Sequence, residues 1–371
     1  MTRSATNKDD LTRIANIQVL RAVAAICVVY LHSTLPPGLA MPAYARFGYG
    51  QFGVDLFFVI SGFVISSIAT RDPRNFELKR IIRIVPFYWA ATLGVFSIAL
   101  LFPQLVHHTF TDWQSLITSL FFIPQMRPNG SFEPMLYVGW TLDYEMYFYA
   151  IFAVALRLSR RNAPLISAAA IVGIMAVAGA VSPGSPAGRF YGNSIVVEFV
   201  YGIVVFQLVS RISIERHNPG RPLELAGWLI GASAALALLL WPWETPPRWE
   251  CWGLPAALLL ACVVLCERRF GAAIKSRAIL LAGDGSYVLY LIHPYVIYGL
   301  LRFLFRGADL WPRPVQWALV AVLIASSIAV SIVIHLYFEL PVMRRLRQML
   351  PHKPVLHDFR RPGVANAPRA T

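Results

Sequence analysis

Residues 14–34 read IANIQVLRAVAAICVVYLHST, an apolar run holding a single strong charge, Arg21. A helix of about 20 such residues, rising 1.5 Å per residue, matches the roughly 30 Å hydrocarbon core of a bilayer. A basic stretch precedes the run, as in a secretory signal, but a signal's apolar core has only about 7–15 residues. Further runs of spanning length follow, so the first is expected to be retained as a helix. Working outward from it, ten spans are predicted, at 14–34, 50–69, 86–103, 137–156, 164–181, 191–210, 222–241, 249–266, 285–303 and 315–337.

Composition agrees with a bilayer as the solvent. Of 371 residues, 57% are hydrophobic and only 14% charged, against about 25% charged in a soluble domain. That excludes disorder, a collagenous repeat and an ordinary soluble enzyme. The fold class expected is all-α, a polytopic integral membrane protein with about ten transmembrane helices. The formal charge of +14 would suggest nucleic acid in a soluble protein. Here 25 of the 33 Lys and Arg fall in the tails and loops on the N-terminal side and 7 on the other. By the positive-inside rule both termini are cytoplasmic, and no nucleic-acid partner is expected. The chain divides into a cytoplasmic tail, 1–13, a membrane domain, 14–345, and a second cytoplasmic tail, 346–371; the polar ends are expected to be disordered. Trp241, Trp243, Trp249, Trp252 and Trp311 read as interfacial anchors. Cys262 and Cys266 share a helix face but lack further ligands nearby in sequence, so no metal site is expected.

Ionisable groups inside spans are costly and mark functional candidates. Arg21 and His32 lie eleven positions apart, three helical turns plus about 20°, so they share a face about 16 Å apart along the axis. The second span carries Asp55 within Gly50-Gln51-Phe52-Gly53-Val54-Asp55, with Gly53, Ser61 and Gly62 small enough for close helix approach. Asp55 needs a partner in the bundle; Arg21 and His32 are the candidates, to be neutralised or oriented. Lys79, Arg80 and Arg83 precede a helix entered at Pro86. They satisfy the topology rule and could equally bind phosphate. Asp143 and Glu145, two apart, point to different faces. His293, His335 and Glu339 read as packing residues.

These blocks, in this order, resemble the acyltransferase-3 family of integral membrane acyltransferases. The resemblance is carried by Arg21 and His32 in the first helix, the block from Gly53 to Phe63, the stretch from Arg80 to Trp89, Trp140-Thr-Leu-x-x-Glu145, the run from Ser286 to His293, and Phe338-Glu339-x-Pro341. It covers about residues 14–345.

The resemblance implies transfer of an acyl group, most often acetyl, from cytoplasmic acyl-CoA to a hydroxyl of a cell-surface carbohydrate such as an exopolysaccharide or O-antigen, in the bacterial cytoplasmic (inner) membrane. Acyl-CoA would be a substrate rather than a resident cofactor, and the acceptor would be a carbohydrate, free or lipid-linked. A base is needed to take the proton of a poorly acidic hydroxyl. His32 is the candidate, with Glu145 or Asp55 holding its tautomer or relaying the proton. Arg21 would stabilise charge along the acyl path or grip the donor, and Lys79, Arg80 and Arg83 would meet the CoA phosphates. The alternative is a transporter or flippase using the intramembrane Arg, Asp and His as a substrate or proton path.

Overall fold

A computed structural model describes residues 14–35, 39, 50–105, 112–212, 222–241, 243 and 247–350. The tail 1–13 and most of the second tail lie outside the described residues. Among these, no strand occurs and the chain is a succession of helices: α1 Ala15–Thr34, α2 Phe52–Arg71, α3 Phe76–Leu101, α4 Trp113–Leu120, α5 Trp140–Leu158, α6 Ala163–Val181, α7 Pro186–Tyr191, α8 Val197–Arg211, α9 Pro222–Leu239, α10 Leu254–Phe270, α11 Arg277–Asp284, α12 Ser286–Phe303, α13 Arg313–Ile334 and α14 Leu340–Gln348. Single π-helical turns, Trp249–Gly253 and His335–Glu339, lead into α10 and join α13 to α14.

Each of the ten expected runs is helical. Among the described residues, eight helices are long and apolar enough to cross a membrane. The other two, α5 and α12, are of spanning length but carry polar side chains, including Asp143, Glu145, Tyr290 and His293. The apolar side chains that face outward fit lipid and not water: Val177 is 62% and Ile230 68% exposed, on helices α6 and α9 that bury little. Such a surface on a soluble protein would be one continuous sticky patch.

One helix start differs from expectation by ten residues. The third helix starts at Phe76, ten residues before Pro86, because Asn75 adopts a left-handed turn (φ 51°) that redirects the chain from α2. Lys79, Arg80 and Arg83 therefore sit on the first turns of α3, and Pro86 lies inside it, where it removes only one backbone bond. At the C-terminal end, α14 runs from Leu340 to Gln348.

Packing centres on α2, which contacts α1 on one side and α8 on another. Backbone touches backbone there. A Cβ on Gly53 would fall 2.4 Å from the carbonyl oxygen of Ala24; one on Gly62 would fall 2.2 Å from that of Phe199, and one on Gly202 2.1 Å from that of Val59. Without water to drive association, such close van der Waals approach is what holds membrane helices together. Phe58, Phe199 and Phe148 stack in sequence beside this contact, with centroids 4.6 and 4.5 Å apart.

Helix α1 is anchored from far along the chain. Ile14, at its N-cap, has no side chain able to accept, so the amides of Ala15 and Asn16 donate to the two carboxylate oxygens of Glu267 at 2.8 Å each. A carboxylate at a helix N-terminus satisfies orphan donors and complements the helix dipole. The Asn16 side chain donates to the carbonyl of Ala272 and accepts from the amide of Ile274. These contacts fix the axial position of α1, and with it Arg21 and His32.

Candidate active site

The N-terminal half of α1, the middle of α2, the start of α3 and the facing parts of α5 and α12 enclose a cavity of about 120 Å³. That is room for several water molecules. Arg21, Arg80 and Arg83 line it together with Glu145, Ser61, Tyr149, Thr141 and Tyr290. Residues separated by more than a hundred positions in sequence thus line one pocket inside an apolar bundle. Glu145 accepts hydrogen bonds from Ser61 Oγ at 2.9 Å and from the Tyr149 hydroxyl one turn on. The carboxylates of Glu145 and Asp284 are counter-charges near the Arg21 guanidinium, and Arg83 is a like charge near it.

The two cavity arginines of α3 differ. Arg83 donates to Glu339 Oε1 at 3.0 Å, and the other oxygen of Glu339 meets His335 Nδ1 at 2.5 Å. The His335 and Glu339 pair, expected only to pack, therefore braces a cavity arginine from the end of the chain's last helices. The Arg83 guanidinium also lies 5.6 Å from the centre of the Tyr287 ring. Arg80 keeps its Nε buried with no hydrogen-bond partner among the described residues. Arg347 on α14 is near enough to interact electrostatically with both. Lys79 does not join them; it donates to Asp72 Oδ2 at 2.9 Å on the outer surface of the bundle, one residue around the helix from Arg80 and therefore on a different face.

Tyr290, in the cavity wall, lies on the same helix as His293. Its hydroxyl bonds the carbonyl of Val138 and the Thr141 hydroxyl at 3.1 Å each, and its ring lies 6.2 Å from that of His293. His293 Nε2 is 3.0 Å from His32 Nδ1, which is also 3.0 Å from the carbonyl of Val28. Neither Glu145 nor Asp55 holds His32, contrary to the sequence-based expectation. The partner is His293, whose sequence context suggests only packing.

Asp55 is likewise paired elsewhere. Its carboxylate takes a two-pronged contact from Arg248, Nε to Oδ1 and NH2 to Oδ2, both at 2.8 Å, and Arg248 reaches on to the carbonyl of Gln51. The fork matches the planar carboxylate, the strongest form of such a pair. Trp252, expected as an interfacial anchor, stacks beneath the guanidinium at 5.0 Å. Glu198 of α8, fully buried, is the third member of this cluster, and neither of its carboxylate oxygens has a donor among the described residues. Sequence reasoning misses Glu198, although an acid in an apolar span is the same signal that exposes Asp55. Arg248 carries no such signal, since it reads as one more loop cation.

Among known proteins, the chain matches the family described as "Acyltransferase domain" over residues 14–336. It is 33% identical over 287 residues to the exopolysaccharide production protein ExoZ of Rhizobium meliloti (strain 1021), a match covering 74% of this chain and 83% of that protein. No solved structure matches it.

Proposed function

The chain belongs to the acyltransferase-3 family, and from that premise we propose that it transfers an acetyl group from acetyl-CoA to a hydroxyl of an exopolysaccharide, free or lipid-linked, in the bacterial cytoplasmic membrane. The observation that carries the reading is the cavity itself. It gathers Arg21, Arg80 and Arg83 with Glu145, and the three arginines ride the halves of α1 and α3 on the side that the Lys and Arg count makes cytoplasmic. Guanidinium groups with unused donors suit the phosphates of a CoA donor. The similarity to an exopolysaccharide production protein supports a polysaccharide acceptor.

The separation of Arg21 and His32 supports different roles for the two. At about 16 Å along α1, the two cannot both touch one reacting carbonyl. Arg21 therefore grips the donor between its phosphates and its arm, and the extended arm carries the thioester past Tyr290 towards His32. There the acceptor hydroxyl attacks the carbonyl carbon. A C–O bond forms and the C–S bond breaks; the hydroxyl proton passes to His32 Nε2 and from there to the departing thiolate, which leaves as CoA. An imidazole, which can hold a hydrogen on one ring nitrogen while the other takes a proton, suits this shuttle.

The test is release of free thiol from acetyl-CoA by purified protein in lipid nanodiscs, with an exopolysaccharide fragment as acceptor and the acetylated product read by mass spectrometry. Wild type should release thiol in step with product, and His32→Ala should lose both while retaining its melting temperature. Undiminished turnover in His32→Ala removes His32 from the mechanism. Transport of acceptor across the bilayer with no thiol release favours a flippase.

A further inference from the structure

The bonds around His32 determine where its hydrogen sits. His293 is fully buried on α12, and its Nδ1 lies 3.1 Å from the carbonyl of Leu289, one turn earlier. A carbonyl only accepts, so Nδ1 of His293 carries the hydrogen and Nε2 of the neutral ring holds a lone pair. That lone pair faces His32 Nδ1 at 3.0 Å. His32 Nδ1 must then be the donor, because the opposite tautomer would set two lone pairs against each other. The carbonyl of Val28, at 3.0 Å from the same nitrogen, requires the same answer. With its hydrogen on Nδ1, His32 presents an unprotonated Nε2, the form a general base needs.

The two acceptors are not equivalent. Val28 belongs to α1 itself and travels with His32, whereas His293 reaches across from α12 and fixes the ring relative to the cavity wall, since Tyr290 of the same helix lines that cavity. A carbonyl can hold a hydrogen but cannot take a proton; an imidazole nitrogen can do both. We infer that His293 is a positioning residue for the transfer reaction, holding His32 in its Nδ1–H tautomer and sharing the positive charge that arises when Nε2 accepts the hydroxyl proton. The step is balanced within the pair: one proton arrives at His32 Nε2, the hydrogen between Nδ1 and His293 Nε2 shifts towards His293, and both return when the thiolate is protonated. The inference rests on the reading of His32 as the base. Outer partners that fix a histidine tautomer are typically worth 10–100-fold in metal sites, and a comparable scale is expected here.

The experiment uses the full chain in nanodiscs, with His32→Ala, His293→Phe and His293→Gln. His293→Phe fills the space without an acceptor and should lower kcat about 100-fold while leaving KM for acetyl-CoA within twofold. His293→Gln restores an acceptor oxygen and should recover to within about tenfold of wild type. Nitrogen-15 spectra of histidine-labelled wild type should show His32 Nε2 unprotonated, and mixed tautomers should appear in His293→Phe. An inactive His32→Ala together with a fully active His293→Phe overturns the role of His293 and leaves the base in place. An active His32→Ala overturns the base itself. If His293→Phe fails to fold, the wild-type spectrum and His293→Gln still decide: a protonated His32 Nε2, or a Gln variant that loses the tautomer yet keeps full activity, overturns the inference.

Discussion

Arg248 closes a two-pronged ion pair on Asp55 across 193 positions of sequence, inside the bundle and beside the buried carboxyl of Glu198. In a low-dielectric interior the attraction roughly offsets the cost of desolvating both ions, yet stranding one of them costs about 3–5 kcal/mol. Asp55→Ala should accordingly lower the melting temperature sharply. The double variant Asp55→Leu/Arg248→Met should recover most of the loss. Two additive decreases in thermal melts would show that the pair is not the unit of stability.

Arg80 and Arg83 face the cavity, whereas Lys79 is held by Asp72. A hydrogen bond to a charged group is worth about 1.5–3 kcal/mol, so Arg83→Ala and Arg80→Ala should each raise KM for acetyl-CoA by about 10–100-fold. Lys79→Ala should change it less than twofold. Steady-state thiol release checks all three, and equal effects at the three positions would mean that the basic stretch acts only through its net charge.

How much a sequence reveals depends on the range over which each feature is determined. The helices are legible because apolar length is a local property, and Arg21 and His32 share a face because both ride one helix. The cavity is legible only as a set of charges. Whether Lys79 belongs with Arg80 and Arg83 depends on where α3 begins, and the left-handed turn at Asn75 sets that. The partners of His32 and Asp55 come from α12 and from the turn before α10, through contacts that no local spacing encodes. His293 looks the same in sequence whether it packs or positions a base.

Glu267 caps α1 from 252 and 251 positions away, through both of its oxygens. Glu267→Ala leaves the amides of Ala15 and Asn16 without these acceptors, and loss of a helix cap costs about 0.5–2 kcal/mol. Because Arg21 and His32 ride on α1, turnover should fall along with the melting temperature. Glu267→Gln, which keeps one good acceptor, should lie between the two. Unchanged kinetics in Glu267→Ala would show that α1 is positioned by its membrane neighbours alone.

Asp72 lies in the turn between α2 and α3, where hydrogen bonds from Arg74 first and Lys79 second pull its pKa down to about 2 from the usual 3.8. A depressed carboxyl stabilises the fold above its unfolded pKa, and that contribution fades as pH falls through the folded value. The Asp72 side chain is 42% exposed, so solvent screening keeps the contribution below about 1 kcal/mol. The gap in melting temperature between wild type and Asp72→Asn should be small and constant from pH 7 to about pH 5 and should narrow towards pH 2. A gap that widens on acidification would contradict the assignment.

Glu198 has no donor for either oxygen among the described residues, and the Arg248 guanidinium in its cluster is engaged by Asp55. Glu198→Gln would keep the volume, remove the possibility of a second negative charge, and supply an amide N–H that the neighbouring Asp55 can accept. The change should therefore be neutral or stabilising in thermal melts. Glu198→Ala instead opens a void against Gly253, where even a methyl group added to the glycine would stand only 3.0 Å from Glu198 Cγ, and emptied core positions typically cost about 2–5 kcal/mol. If Gln is as damaging as Ala, the carboxyl itself is required, and Glu198 serves the ion pair through a charge that its present contacts do not explain.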